Sequence, residues 1–289
     1  MQVAGSGNRS GFVFMAPQLV CGSFRLSLER PLVMGIVNVT PDSFSEGGRH
    51  FDAARAIAHG RQLVEAGADL LDVGGESSRP GAQPVAVEEE LRRVLPVIEA
   101  LACAGVPLSV DTMKPEVMRR AVAAGASVIN DIAALQAPGA LAAAAESGAA
   151  VCLMHMRGEP RTMQADPSYG DVVAEVREFL SRRVAAAHAA GIGVERIIVD
   201  PGFGFGKRLA HNLALLRHLG RFHGLGACVL AGLSRKSMLG EITGRKVSDR
   251  DTASVAAALL AARNGARILR VHDVAATKDA LAVWAAVEA

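Results

Sequence analysis

Aromatic residues are scarce in this sequence: Phe, Tyr and Trp make up 4% of 289 residues, with a single Tyr and a single Trp. A surface that stacks nucleic-acid bases needs more such rings. Charge of one sign is equally missing. Lys and Arg total 31 against 29 acidic residues, and no basic run exceeds two residues. The footprint of a nucleic-acid binder is therefore not expected. Cysteine is limited to Cys21, Cys103, Cys152 and Cys228, with no C-x-x-C pair. That pattern disfavours a zinc site or a disulfide framework and reads as reduced thiols in a cytoplasmic protein. No apolar run is long enough to span a bilayer, so no membrane partner is expected. The stretch GFVFMAPQLVC (11–21) is apolar but short, broken by Pro17, and lacks small residues before a cleavage point. Residues 1–20 are read as a mobile leader, followed by a single domain at 21–289.

What the sequence does have is a repeating unit. Short β-branched runs end in a polar residue, pass through a Gly-rich or Pro-rich loop, and give way to an Ala/Leu helix. Eight runs fit: Leu32–Val37, Leu70–Val73, Leu108–Val110, Val128–Ile129, Ala150–Met154, Ile197–Val199, Cys228–Ala231 and Ile268–Val271. Helices are expected at 52–66, 87–104, 115–124, 139–147, 171–190, 211–220, 252–264 and 275–287. Gly67, Gly105, Gly125, Gly148, Gly191 and Gly265 stand where helices should stop. Pro96 should kink the second helix. Nearly continuous apolar strands alternating with helices mean a parallel sheet buried on both faces. Eight units suggest an α/β fold closed into a (β/α)8 TIM barrel, with an open doubly wound sheet as the alternative. Residues 23–30 alternate polar and apolar and read as a short N-terminal β-hairpin plugging the barrel bottom.

In a barrel of this kind the active site lies at the carboxyl ends of the strands. Here those ends carry Asn38, Asp72, Glu76, Asp111, Asn130, Asp131, His155, Asp200, Ser234, Lys236 and His272. One such residue is commonly a cap or turn former, but so many on one rim point to a site. Asp111, Asn130, Asp200 and Lys236 can converge near the axis. Carboxylates accept paired N–H bonds from an amino group and a neighbouring ring nitrogen, which suits a 2-amino-4-oxo-pyrimidine. Arg270 and His272 lie two apart on one strand, hence on one face, and with Arg79 could hold a diphosphate.

The stretch DPGFGFGK (200–207) resembles a nucleotide-phosphate cradle, but it fails the strict patterns. Pro201 stands where a P-loop needs Gly, Arg208 where it needs Ser or Thr, and Lys207 where a dinucleotide fingerprint needs its third Gly. Its glycines read as turn residues, Asp200 as a ligand to the heterocycle, and Lys207 as a solvated loop charge.

Together, GIVNVTPDSFSEGG (35–48), GGESSRPGA (74–82), SVDT (109–112), INDI (129–132), MHMRG (154–158), DPGFGFGK, GLSRKSMLG (232–240) and RVHDV (270–274) resemble the dihydropteroate synthase family, from about residue 23 to the C-terminus. The resemblance implies condensation of 6-hydroxymethyl-7,8-dihydropterin diphosphate with 4-aminobenzoate, assisted by Mg²⁺, in a sulfonamide-sensitive homodimer. It implies pterin binding by Asp111, Asn130, Asp200 and Lys236, with Asp111, Asp200, Lys236 and Arg270 catalytic. Asn38 is implied as the Mg²⁺ ligand beside the diphosphate, which Arg79, Arg270 and His272 also bind. Ser78, Pro80, Phe205, Lys236 and Ser237 are implied around 4-aminobenzoate. The family often has Thr where this chain has Ser78; the hydroxyl is kept. The loops at 39–50 and 75–86 are expected to be mobile and to order over substrate. Methyltetrahydrofolate-dependent methyltransferases share such a barrel and would account for Asp111, Asn130 and Asp200, but not for the diphosphate set. A non-catalytic pterin-binding relative would not need Asn38, Arg79 and Lys236.

Overall fold

A computed structural model describes residues 17–40, 53–77, 79 and 81–288. It begins with an antiparallel hairpin, β1 (Gln18–Cys21) and β2 (Phe24–Ser27). The hairpin thus starts earlier than the 23–30 expected, and residues 18–20, assigned to the leader, form part of its first strand. Period-two alternation explains the shift: Leu19 and Cys21 fall on one face and are fully buried. Residues 1–16 of the expected leader lie outside the described residues.

Eight parallel strands follow: β3 (Leu32–Asn38), β4 (Leu70–Gly74), β5 (Leu108–Asp111), β6 (Val128–Asp131), β7 (Ala150–Met154), β8 (Ile197–Asp200), β9 (Cys228–Ala231) and β10 (Ile268–Val271). β10 pairs with β3 in parallel register, Ile268 beside Leu32 and Arg270 beside Met34, and this closes the barrel. The open-sheet alternative is therefore excluded. Around the barrel stand α1 (Ala53–Glu65), α2 (Val87–Leu101), α3 (Pro115–Ala123), α4 (Ala140–Ser147), α5 (Val172–Ala189), α6 (Leu209–Arg217), α7 (Ser237–Thr243), α8 (Asp251–Arg263) and α9 (Val274–Glu288). The short α7 was not expected; it fills the connection between β9 and α8. Helix α2 continues through Pro96 to Leu101. The six glycines read as helix stops all take positive φ, between 71° and 120°.

The strands separate two apolar layers. Val33, Leu71, Val110, Ile129, Val151, Val199 and Leu269 face the helices. Leu32, Met34, Leu70, Val128, Ile198 and Ile268 fill the inside with Leu19, Cys21 and Leu28 of the hairpin region, which plugs the barrel floor as expected. Since successive side chains alternate, Asp72, Asn130, Asp200 and Arg270 share the inward face with Leu70, Val128, Ile198 and Ile268, one step nearer the carboxyl end.

Candidate active site

Arg270 occupies the centre of the inner rim. Its Nε donates to Asp72 Oδ2 at 2.6 Å and its Nη2 to Asp111 Oδ2 at 2.9 Å. Asn130 Nδ2 reaches the same Asp72 oxygen at 3.1 Å. Asp72 is fully buried, and its Oδ1 has no hydrogen-bond partner among the described residues. Burial pushes the Asp111 carboxyl up to about 7, against the pull of Arg270 and with the repulsion of Asp72. Burial disfavours the charge on Arg270, but Asp72 and Asp111 outweigh it and hold the guanidinium's pKa above its ordinary value.

The glycine-rich loop after β8 accounts for the next part of the rim. Gly202, Gly204 and Gly206 have φ of 70°, 78° and 62°. A Cβ on Gly202 would sit 1.9 Å from the His155 carbonyl oxygen, and one on Gly206 2.4 Å from that of Arg157. Only Gly allows this backbone path. A phosphate cradle presents free amides, whereas here the Gly202 amide donates to Asp200 Oδ1 at 2.7 Å and the Gly204 amide to Asn212 Oδ1 at 2.8 Å. The carbonyls are taken by side chains: Gly202 and Phe205 by Lys207, Phe203 by Lys236, Gly204 by Gln164, Gly206 by Tyr169, and Arg208 by Asn212.

Lys207 is thus not a solvated charge. It is 3% exposed, and its Nζ lies 2.8 Å from Gly202 O, 3.0 Å from Phe205 O, 3.2 Å from His155 O and 2.9 Å from His155 Nδ1. Burial drives its pKa well below the ordinary lysine range, opposed by the charge of Asp200. Sequence position alone could not show which way this side chain points. Composition held a signal: only five of the 31 basic residues are lysines, and three of them, Lys114, Lys207 and Lys236, lie at this rim.

Lys236, half-buried at the start of α7, lies with its Nζ 4.7 Å from the centre of the Phe205 ring. Burial lowers its pKa to about 8, with Asp200 opposing the fall. Burial raises that of Asp200, countered by Lys236, the Gly202 amide, Lys207 and Arg270. Ser237 is exposed beside Lys236.

Just beyond the end of β10, His272 Nδ1 pairs with Ser234 Oγ at 2.8 Å, and the His272 backbone amide donates to the same oxygen at 3.3 Å. Burial, together with Arg235, Arg270 and Arg79, lowers the His272 pKa to about 3, so the ring is neutral at pH 7. If Ser234 donates to Nδ1, the ring proton sits on Nε2, free to donate outward. Arg79 is exposed. Asn38 ends β3, half-buried and paired in register with Gly74. Among the described residues no group of three or more His, Cys, Asp or Glu could hold a metal. The amide oxygen of Asn38 nevertheless suits Mg²⁺, which takes hard oxygen ligands and commonly completes its shell with substrate phosphates and water. Ser78 and Pro80 lie outside the described residues, as do 41–50 of the first expected loop.

Several rim residues prove to be scaffolding. Asp131 accepts from the amides of Ala133 and Leu135 at 2.7 and 2.8 Å, fixing a turn in which Ala134 and Leu135 take positive φ. Glu76 accepts from the Val85 amide at 3.1 Å and from Lys114, so it ties together both ends of the segment that carries Arg79. Lys114 also reaches the fully buried Glu90 at 2.5 Å.

A closed barrel with this acid, amide and cation rim is the architecture of a pterin-binding enzyme, and the family model described as "Pterin binding enzyme" matches residues 34–272. The chain is 53% identical to the dihydropteroate synthase of Escherichia coli strain K12, over 89% of this chain and 92% of that one. Among solved structures it is similar to Xanthomonas albilineans dihydropteroate synthase with 4-aminobenzoic acid, at 60% identity and a TM-score of 0.90, covering 95% of this chain and 99% of that one. Yersinia pestis dihydropteroate synthase with a sulfonamide drug complex gives 49% identity and a TM-score of 0.90, covering 94% and 99%. The chain belongs to the dihydropteroate synthase family.

Proposed function

We propose that this enzyme condenses 6-hydroxymethyl-7,8-dihydropterin diphosphate with 4-aminobenzoate to give 7,8-dihydropteroate and diphosphate. The observation that carries the reading is that one inner rim joins an N–H-accepting end, Asp200 and Asp111 with Asn130, to a donor end where the Arg270 cation stands with the neutral His272.

Asp200 uses Oδ1 on the Gly202 amide, which leaves Oδ2 for the amino and ring N–H groups of the pterin. Lys236 donates to the pterin carbonyl. Arg270 spends two of its five N–H groups on Asp72 and Asp111, leaving three toward the diphosphate. His272 adds a neutral Nε2–H, and Arg79 a further charge. Asn38 would hold Mg²⁺ beside the diphosphate; when bound, the ion neutralises the leaving group's charge. The methylene–oxygen bond breaks, and diphosphate leaves with the electron pair. The aryl amine's lone pair forms the methylene–nitrogen bond, and the amine then loses one proton. The electron-rich dihydropterin ring can carry positive charge at the methylene, which favours departure ahead of attack. The amine is neutral at pH 7, so the protein's task is placement. Phe205, Lys236 and Ser237, with Ser78 and Pro80, surround it, and sulfonamides compete there.

The same reading carries a homodimer and a cytoplasmic location. Exposed Leu260 on α8 and Val283 and Val287 on α9 support pairing through the late helices. Cys21, Cys152 and Cys228 are buried free thiols, and among the described residues no helix is long and apolar enough to cross a membrane. The test is product formation: mass spectrometry should find 7,8-dihydropteroate only with both substrates and Mg²⁺ present, and its absence would reject the reading.

A further inference from the structure

Lys207 and Lys236 serve the same loop in different ways. Lys236 stands half-buried at the mouth, whereas Lys207 is buried and faces only protein acceptors. An ammonium has three N–H donors, and Gly202 O, Phe205 O, His155 O and His155 Nδ1 crowd around this one between 2.8 and 3.2 Å. A compact point charge meets such a convergent set, which a planar guanidinium does not. With its donors committed to the protein, Lys207 has none left for a substrate. Its bonds join two strand ends: His155 follows β7, and the other acceptors lie in the loop after β8.

The loop needs such a tie. Three glycines at positive φ give it large conformational freedom to lose, and no regular structure holds it. Gln164, Tyr169 and Asn212 hold the carbonyls of Gly204, Gly206 and Arg208. Lys207 is the side chain that holds those of Gly202, which also accepts from the Phe205 amide at 3.2 Å and whose own amide meets Asp200, and Phe205, whose ring faces Lys236.

We propose that Lys207 is a positioning residue for the reaction: it fixes the loop in the conformation that sets Phe205 against Lys236, and so controls capture of the aryl amine substrate. The inference rests on the reading that Phe205 lines the 4-aminobenzoate pocket.

The test uses the full-length enzyme with Lys207→Met, which keeps an apolar stem and removes the donors. The KM for 4-aminobenzoate should rise at least tenfold, while the calorimetric Kd for 6-hydroxymethyl pterin changes less than threefold. A lowered Tm with both constants unchanged would mean a role in stability only and would overturn the proposal. Phe205→Ala separates the two readings. If it leaves the 4-aminobenzoate KM unchanged, the pocket reading fails. If it raises that KM and Lys207→Met does not, the role given to Lys207 fails. Should Lys207→Met not fold, ¹⁵N-lysine NMR of the unmodified enzyme takes its place. Couplings from Lys207 Nζ to the Gly202 and Phe205 carbonyl carbons are expected in the presence of 4-aminobenzoate, and their absence would overturn the proposal.

Discussion

Arg270 on β10 donates its Nε to Asp72 on β4 at 2.6 Å across the inside of the barrel, and Asp72 is fully buried. On the proposed reading Asp72 acts through Arg270, fixing the guanidinium so that its remaining N–H groups can meet the diphosphate. Asp72→Asn removes the charge opposite Arg270 Nε and leaves Asp111 as the one carboxylate hydrogen-bonded to the guanidinium. We expect kcat/KM for the diphosphate substrate to fall about 10-fold or more, and stability to drop by on the order of 3 kcal/mol, the scale for breaking a buried pair from one side. Steady-state kinetics and urea unfolding check both; unchanged kcat/KM would contradict the role.

The pH dependence follows from two displaced groups. Asp111, raised to about 7 mainly by burial, holds its proton below that pH and accepts N–H bonds as a carboxylate only above it. Lys236, lowered to about 8 mainly by burial, loses its charge above that pH. The kcat/KM for the pterin substrate should therefore be bell-shaped, highest between about 7 and 8. Asp111→Asn should remove the acid limb, and Lys236→Met the alkaline limb. A pH–rate series on the three proteins reads this directly.

The loop glycines should not be equivalent. Gly202→Ala and Gly206→Ala place a Cβ 1.9 and 2.4 Å from backbone oxygens, whereas Gly204→Ala meets only the flexible Lys236 side chain at 3.2 Å. Gly204→Ala should cost about 1–2 kcal/mol, the scale of left-handed strain. The other two should cost more or prevent folding. Denaturant midpoints in the reverse order would show that the loop takes another path.

A sulfonamide should compete with 4-aminobenzoate and not with the pterin diphosphate. On the proposed pocket, Phe205→Ala should raise the inhibitor's Ki and the substrate's KM together. Noncompetitive inhibition in a double-reciprocal series would place the drug elsewhere.

Much of this arrangement could be read from the sequence because polar residues interrupt apolar runs at strand ends. Asp111, Asn130 and Asp200 stand out after Val110, Ile129 and Val199, and the structure simply extends each strand to include them. Period two placed Arg270 and His272 on one face. Side-chain direction in loops has no such periodicity. Lys207 reads as a solvated charge because nothing in GFGK says that its side chain turns back onto the loop's carbonyls, and a polar residue at a strand end, such as Asp131, does not announce whether it faces a ligand or fixes a turn. The hairpin's first strand was missed because GFVFMAPQLVC reads as one apolar run, and only burial of Leu19 and Cys21 divides it. The short α7 lacks an apolar stripe long enough to announce itself.

The central claim is that one rim holds two subsites, the heterocycle at Asp200 and the diphosphate at Arg270 and His272. Calorimetry of Asp200→Asn and His272→Ala against 6-hydroxymethyl pterin and its diphosphate ester tests it most directly. Asp200→Asn should weaken both ligands by about 2–3 kcal/mol, as for a lost charged hydrogen bond. His272→Ala should weaken only the diphosphate ester. Equal losses for the two ligands in both variants would contradict the division.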